Sequence, residues 1–179
     1  MDFNDTAEEA KFRKEAYEWL KANADLKEGP KDGWRASSEE EGLEQVKVWQ
    51  NKLYESGWAC MHWPKEFGGR ESTPIERVIW GQEISKFKVP GGYLEIGQGM
   101  AGPVMMMYAT EEQKARHLPP MAKGEEIWCQ LFSEPGAGSD LAGLKTKSVL
   151  EGDTWTINGQ KIWTSGAHFS DWGILVTRS

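Results

Sequence analysis

The residues best placed to do chemistry lie in one stretch, Trp128 to Asp140, which reads WCQLFSEPGAGSD. A β-prone run, Trp128 to Phe132, meets a turn built from Pro135, Gly136 and Gly138, with an acid or hydroxyl at nearly every other turn position. Glycine amides and the hydroxyls of Ser133 and Ser139 suit an anion cradle, because unhindered N–H groups can converge on a negative group. The spacing matches no standard phosphate template: Gly136, Gly138 and Gly143 give GxGxxxxG rather than GxGxxG, and there is no GK[ST]. Spacing alone leaves a structural turn ahead of a ligand loop. Glu134 and Asp140 are a candidate acid pair, but acids in such turns more often cap backbone amides.

Other reactive side chains are scattered. His62, His117 and His168 are far apart and lack HExxH or Cys/His spacing, so no metal site is expected. No GxSxG nucleophile elbow occurs. Cys60 and Cys129 have neither the number nor the spacing of a disulfide framework, and they read as buried thiols of a reducing, cytoplasmic setting. Trp163, in KIWTSGAH, reads first as a strand packing residue and second as a flat stacking platform. Met105 to Met107 read as gap-fillers, with the lining of an acyl pocket as the alternative.

The elements that must position these residues change character along the chain. Its 179 residues, 39% hydrophobic and 27% charged, are those of an ordinary globular protein of one or two domains. A formal charge of -7 argues against a general grip on nucleic acid or an anionic membrane. MDFNDTAEEA lacks the pattern of a signal peptide, and no membrane span is expected. Four helix starts carry a hydroxyl residue followed three positions later by Glu or Gln: Thr6 with Glu9, Ser38 with Glu41, Thr73 with Glu76, and Thr110 with Gln113. Phe12, Ala16, Trp19 and Leu20 make one helical face, and Leu43, Val46, Gln50 and Leu53 make another, closed by Gly57. The loop from Gly57 to Arg70 is rich in large apolar groups and should pack down. Pro74 follows the Thr73 cap, which predicts a helix to about Lys86. Tyr93 to Tyr108 reads as a helix buried on all sides, interrupted by Pro103, and the helix from Thr110 is expected to end near Pro119 and Pro120.

Beyond Gly124 the pattern shifts towards alternation, with WCQLF, KTKSVL, TWTI, QKIWT and ILVTR as short strands. Asn158-Gly159 is the strongest hairpin signal, and Glu151, Gly152 and Asp153 make a second tight turn. The expected fold is α+β: an N-terminal all-α helical domain over residues 1–125, then an incomplete antiparallel β-domain over 126–179, barrel-like or sandwich-like. A β-domain of this length looks unfinished.

Taken together, WPKEFGGR, GPVMMMYATEEQKARHLPPMAKGE, SEPGAGSDLAGLKTK and INGQKIWTSGAHFSDWGILVTRS resemble the N-terminal half of acyl-CoA dehydrogenases. The resemblance covers nearly the whole chain and is densest from Gly102 to Arg178. It implies FAD held between a middle β-domain and C-terminal helices, with Gln130, Phe132, Ser133, Gly138, Ser139, Trp163 and Ser165 as cofactor-binding positions. Ser133 would bond the pyrimidine side of the flavin, Trp163 would lie against the isoalloxazine, and Ser165 would point towards N5. Ser139 would also face the thiol arm of an acyl-CoA substrate. The implied reaction removes the α-proton of an acyl thioester while hydride passes from the β-carbon to the flavin, and in the family the base is a glutamate of the C-terminal domain.

The resemblance further implies an electron-accepting partner such as a flavoprotein, and a homo-oligomeric parent. Gln130 and Phe132 depart from the commoner residues of the family, and WTSGAH replaces the frequent WITNG, which leaves steroid, branched or other unusual acyl groups open. The chain is expected to be a fragment without dehydrogenase activity of its own. The alternatives are a naturally short, non-catalytic pairing module and a related flavin oxidase or monooxygenase.

Overall fold

Side-chain caps start three of the helices at the residues the sequence marks. A computed structural model describes residues 4–179; Met1–Phe3, part of the N-terminal stretch read against a signal peptide, lie outside the described residues. Helix α1 (Ala7–Asn23) opens with a reciprocal box between Thr6 and Glu9, and α3 (Pro74–Ile84) with one between Thr73 and Glu76, so two otherwise orphaned amides are bonded at each start. At α2 (Glu39–Glu55) the Ser38 hydroxyl accepts from Glu41 N, while the Glu41 carboxylate accepts from the amide of Ser37, one residue earlier than in a box. Two-residue strands β1 (Asp25–Leu26) and β2 (Phe87–Lys88) pair antiparallel between the helices, a feature too short to leave a pattern in the sequence.

Two compact units result: residues 4–92 with 111–125, and residues 93–110 with 126–179. In the first, α1 buries Phe12, Ala16 and Leu20, and α2 buries Val46, Trp49, Gln50 and Leu53, the faces the periodicity marks. Gln50 Nε2 donates to Ala122 O at 2.8 Å, which satisfies a buried amide. The loop after α2 packs down as expected, with Trp58, Ala59, Met61 and Trp63 all buried. Trp58 stacks on Trp80 at 4.7 Å between centroids and 14° between planes, and the Arg70 guanidinium lies over the Trp58 ring, 3.8 Å from its centroid. Glu83, 1% exposed, is bonded by Arg13 at 2.8 Å and Lys86 at 2.5 Å. Burial works to raise its carboxyl, but those two cations outweigh it and hold the pKa below the usual range.

The last helix of this unit, α5 (Glu111–Lys123), begins just after Thr110 but does not stop at Pro119 and Pro120. Both prolines lie inside it. Leu118, Met121 and Ala122 form its buried face, and that burial outweighs the lost amide donors until Gly124, at φ +76°, turns the chain.

In the second unit, Pro103 is accommodated by a π-helical turn over Gly97–Ala101, after which α4 (Gly102–Tyr108) restarts with proline in its first turn. The expectation of a segment buried on all sides is corrected here: Gly97, Ala101 and Gly102 are buried, whereas Val104, Met107 and Tyr108 are exposed at helical spacing. Strands β3 (Trp128–Leu131) and β6 (Trp172–Leu175) pair in parallel, with Trp128 opposite Trp172. Strands β4 (Lys147–Glu151) and β5 (Thr154–Asn158) pair antiparallel around Gly152-Asp153, Gly152 having φ +63°. The α+β order is therefore as expected, but the pairing is mixed rather than antiparallel throughout.

Asn158-Gly159 makes no hairpin, and QKIWT is not a strand. Gly159 instead lies against Thr146, whose Cα is 2.7 Å from where a Cβ would stand, so close approach rather than turn geometry accounts for the glycine.

Candidate functional site

The end of β3 and the irregular segment after Gly159 are joined by bonds on consecutive residues. Ile162 N donates to Ser133 O at 2.9 Å, and Lys161 Nζ donates to Phe132 O at 2.9 Å and to the Glu134 carboxylate at 2.9 Å. Glu134 also accepts from the amides of Lys145 at 2.6 Å and Thr146 at 2.9 Å. It is 7% exposed, and hydrogen bonds from Thr146 and Lys145, together with the Lys161 ammonium, hold its carboxyl down at about 2. The expected role of this acid as an amide cap is thus what the geometry shows. Asp140 does not act with it: it is exposed and precedes a short 3-10 turn without capping it.

Lys161 and Ile162 deliver the chain to Trp163 in an unusual state. Its backbone has φ +57°, and its side chain is 85% exposed. A bulky residue in the left-handed region is strained, and strain of this kind persists only where the surroundings enforce it. The reading of Trp163 as a strand packing residue is therefore corrected: it belongs to no strand and is not buried. Ser165 N donates to Trp163 O at 3.1 Å, closing a tight three-residue turn.

Around these residues is a cleft of about 220 Å³ lined by Ile96, Gln130, Phe132, Ser133, Ile162, Trp163 and Ser165. Five of the seven sequence-predicted positions meet there: Gln130, Phe132, Ser133, Trp163 and Ser165. Gly138 and Ser139 are exposed on the adjoining turn and outside this lining. Ile96 and Ile162 were not foreseen. Ile162 sits between two foreseen residues, and Ile96 comes from the helical segment before the π turn, which no spacing links to β3. The donor set is an amide, two hydroxyls and an open indole face, which suits a planar heterocycle with a hydrogen-bonding edge. No lining residue is an acid or a base.

A larger cleft of about 740 Å³ in the helical unit is lined by cations such as Lys21 and Lys52 and by acids such as Asp25 and Glu44, so neither ligand charge is favoured there. Among the described residues no group of three or more His, Cys, Asp and Glu is arranged to hold a metal, and no helix is long and apolar enough to cross a membrane.

Comparison with known proteins identifies the class. Residues 6–125 match the acyl-CoA dehydrogenase N-terminal domain and residues 129–179 match the acyl-CoA dehydrogenase middle domain. The chain belongs to the acyl-CoA dehydrogenase family, whose members are FAD-dependent. Among its relatives is acyl-CoA dehydrogenase IpdE1 of Mycobacterium tuberculosis, 40% identical over 141 residues, covering 79% of this chain and 37% of that protein. Similar solved structures include the ChsE4-ChsE5 complex of Mycobacterium tuberculosis, with 29% identity and a TM-score of 0.74 over 100% of this chain and 44% of that one. The Tcur3481-Tcur3483 steroid ACAD gives 30% identity and a TM-score of 0.73, over 100% of this chain and 45% of that one. The chain thus spans less than half the length of these relatives.

Proposed function

We propose that this chain supplies one wall of a flavin site in an enzyme that dehydrogenates an acyl-CoA thioester between its α and β carbons. The observation that carries the reading is Trp163, an exposed indole in a strained backbone beside the hydroxyls of Ser133 and Ser165. Bound FAD would supply the hydride acceptor. Trp163 would give the ring a flat surface, Ser133 would donate to its polar edge, Gln130 and Phe132 would bound the cleft, and Ser165 would orient the reacting end. Gly138 and Ser139 would extend the site along the adjoining turn, with Ser139 also towards the thioester arm of the substrate. Such positioning converts an encounter into a held geometry, which is where most of this wall's contribution to rate would arise.

The cleft holds no carboxylate or imidazole, so the base for the α-proton must come from residues outside it. This supports inactivity of the 179-residue chain alone. The neighbour described as a steroid ACAD, and WTSGAH at the cleft, favour a bulky acyl group over a straight chain. Both ChsE4-ChsE5 and Tcur3481-Tcur3483 are named as pairs, which favours assembly with a related subunit beside the homo-oligomer implied by resemblance. A flavoprotein remains the proposed electron acceptor. The domain division proposed is 1–125 and 126–179, and the free buried Cys60 and Cys129 support a cytoplasmic location.

Titration of FAD with the purified chain tests the reading. Flavin fluorescence is expected to be quenched by the wild type and not by Trp163→Ala, with no dye reduction on adding an acyl-CoA. Equal quenching by both proteins would remove Trp163 from the site, and dye reduction by the chain alone would overturn the missing base.

A further inference from the structure

We propose that the Glu134–Lys161 pair is the positioning element of the cleft, setting where Trp163 stands relative to Ser133. Lys161 Nζ is the junction: it donates to Phe132 O on the β3 wall and to Glu134 Oε1, each at 2.9 Å. Both charged side chains are nearly enclosed, at 8% and 6% exposure for Lys161 and Glu134. The remaining acceptor capacity of Glu134 goes to the amides of Lys145 and Thr146, which lead into β4. One carboxylate therefore joins three chain segments, and the ammonium it holds is two residues from the strained indole.

The geometry explains why an ion pair stands where an apolar contact would serve packing equally well. A buried pair is weak evidence for stability, since apolar replacements of similar volume often do as well. What an apolar contact lacks is direction. The bond to Phe132 O ties Lys161 to the end of β3 and the Ile162–Ser133 bond ties the next residue, so both residues before Trp163 are held where its φ of +57° begins. Neither Glu134 nor Lys161 lines the cleft, so both act through Trp163 and Ser133.

The test uses the chain labelled with 5-fluorotryptophan, the Trp163 fluorine signal being assigned by its absence in Trp163→Phe. Lys161→Met strands a buried carboxylate, so the double variant Glu134→Gln/Lys161→Met is made beside it. Removing both charges is expected to recover part of the melting temperature lost in the single variant, because the glutamine has one oxygen for the two amides of Lys145 and Thr146. The Trp163 signal is expected to move towards its position in unfolded protein in both variants, with the signals of Trp19, Trp49, Trp58 and Trp80 unchanged. An unmoved Trp163 signal in the folded double variant would overturn the proposal, because the pair would then serve stability alone. If the single variant does not fold, the double variant decides.

The effect on flavin rests on the function proposed above and is read separately. FAD quenching should weaken on the order of tenfold or more in the double variant, since a displaced ring loses its contacts with the ligand. Absence of quenching by the wild type would count against the flavin reading and leave the fluorine test of the pair intact.

Discussion

Tryptophan is used in opposite ways in the two units. In the helical unit Trp19, Trp49, Trp58 and Trp80 lie within 6.2 Å of one another in consecutive ring contacts, and Trp58 is 3% exposed beneath Arg70. In the other unit Trp155 is 53% exposed and Trp163 85%, beside exposed Val149, Leu150 and Ile157 on the β4–β5 hairpin. Leu150 faces Trp155 and Ser148 faces Ile157, so Leu150, Trp155 and Ile157 share one side of the ribbon. The helical unit packs these four tryptophans against one another, whereas the second unit buries Trp128 but leaves Trp155 and Trp163 on its surface, where large apolar groups suit contact with a ligand or another protein.

If that contrast is right, the same residue type should give unequal effects on removal. Trp58→Ala should destabilise the helical unit by about 3–5 kcal/mol, the usual cost of deleting a large buried side chain, as read by urea unfolding. A loss below about 1 kcal/mol would show that the aromatic cluster is looser than its stacking implies.

Acid should act next, and on the other unit. Glu134 has a carboxyl lowered from 4.5 to about 2, so its contribution is fully present above pH 4.5 and disappears as pH falls towards 2. The protection factors of the Lys145 and Thr146 amides, which are referred to the intrinsic exchange rate at each pH, should fall over that window in the wild type. In Glu134→Gln the protection should already be low at neutral pH and change little with acid.

Trp163→Gly should move stability the other way, raising it by about 1 kcal/mol by releasing the left-handed strain, while FAD quenching is lost. A destabilised variant would mean that the indole is a packing residue after all. The smallest effect is expected at the hairpin: Trp155→Ser should change stability by no more than about 0.5 kcal/mol, yet reduce binding of a hydrophobic dye.

What the sequence disclosed follows the range of the forces involved. Thr6, Ser38 and Thr73 announce their helices because a cap acts within three residues, and the faces of α1 and α2 follow from the helical period. Five of the cleft residues were legible through motif resemblance, not through spacing. Asn158-Gly159 misled because the same dipeptide that makes a turn also allows close packing, and only the position of Thr146 distinguishes the two. Pro119 and Pro120 misled because their local cost is outweighed by burial of Leu118 and Met121, which no window of neighbouring residues records. Ile96 was invisible for the same reason: its partners are distant in sequence.

The parallel pairing of β3 with β6 has a consequence for the order in which the molecule assembles. Residues 132–171 form one long span between the two strands, and the β4–β5 hairpin and the whole Lys161–Ser165 segment lie inside it. Parallel strands cannot be joined by a tight turn, and a long span must lose its chain entropy before the pairing rewards it. From these separations along the chain, the hairpin around Gly152-Asp153 is expected to form before Trp172 pairs with Trp128. The cleft needs neither strand of the hairpin nor β6 in its lining: the bonds of Lys161 and Ile162 to Phe132 and Ser133 close it across 29 residues, inside the span that the parallel pairing ties off.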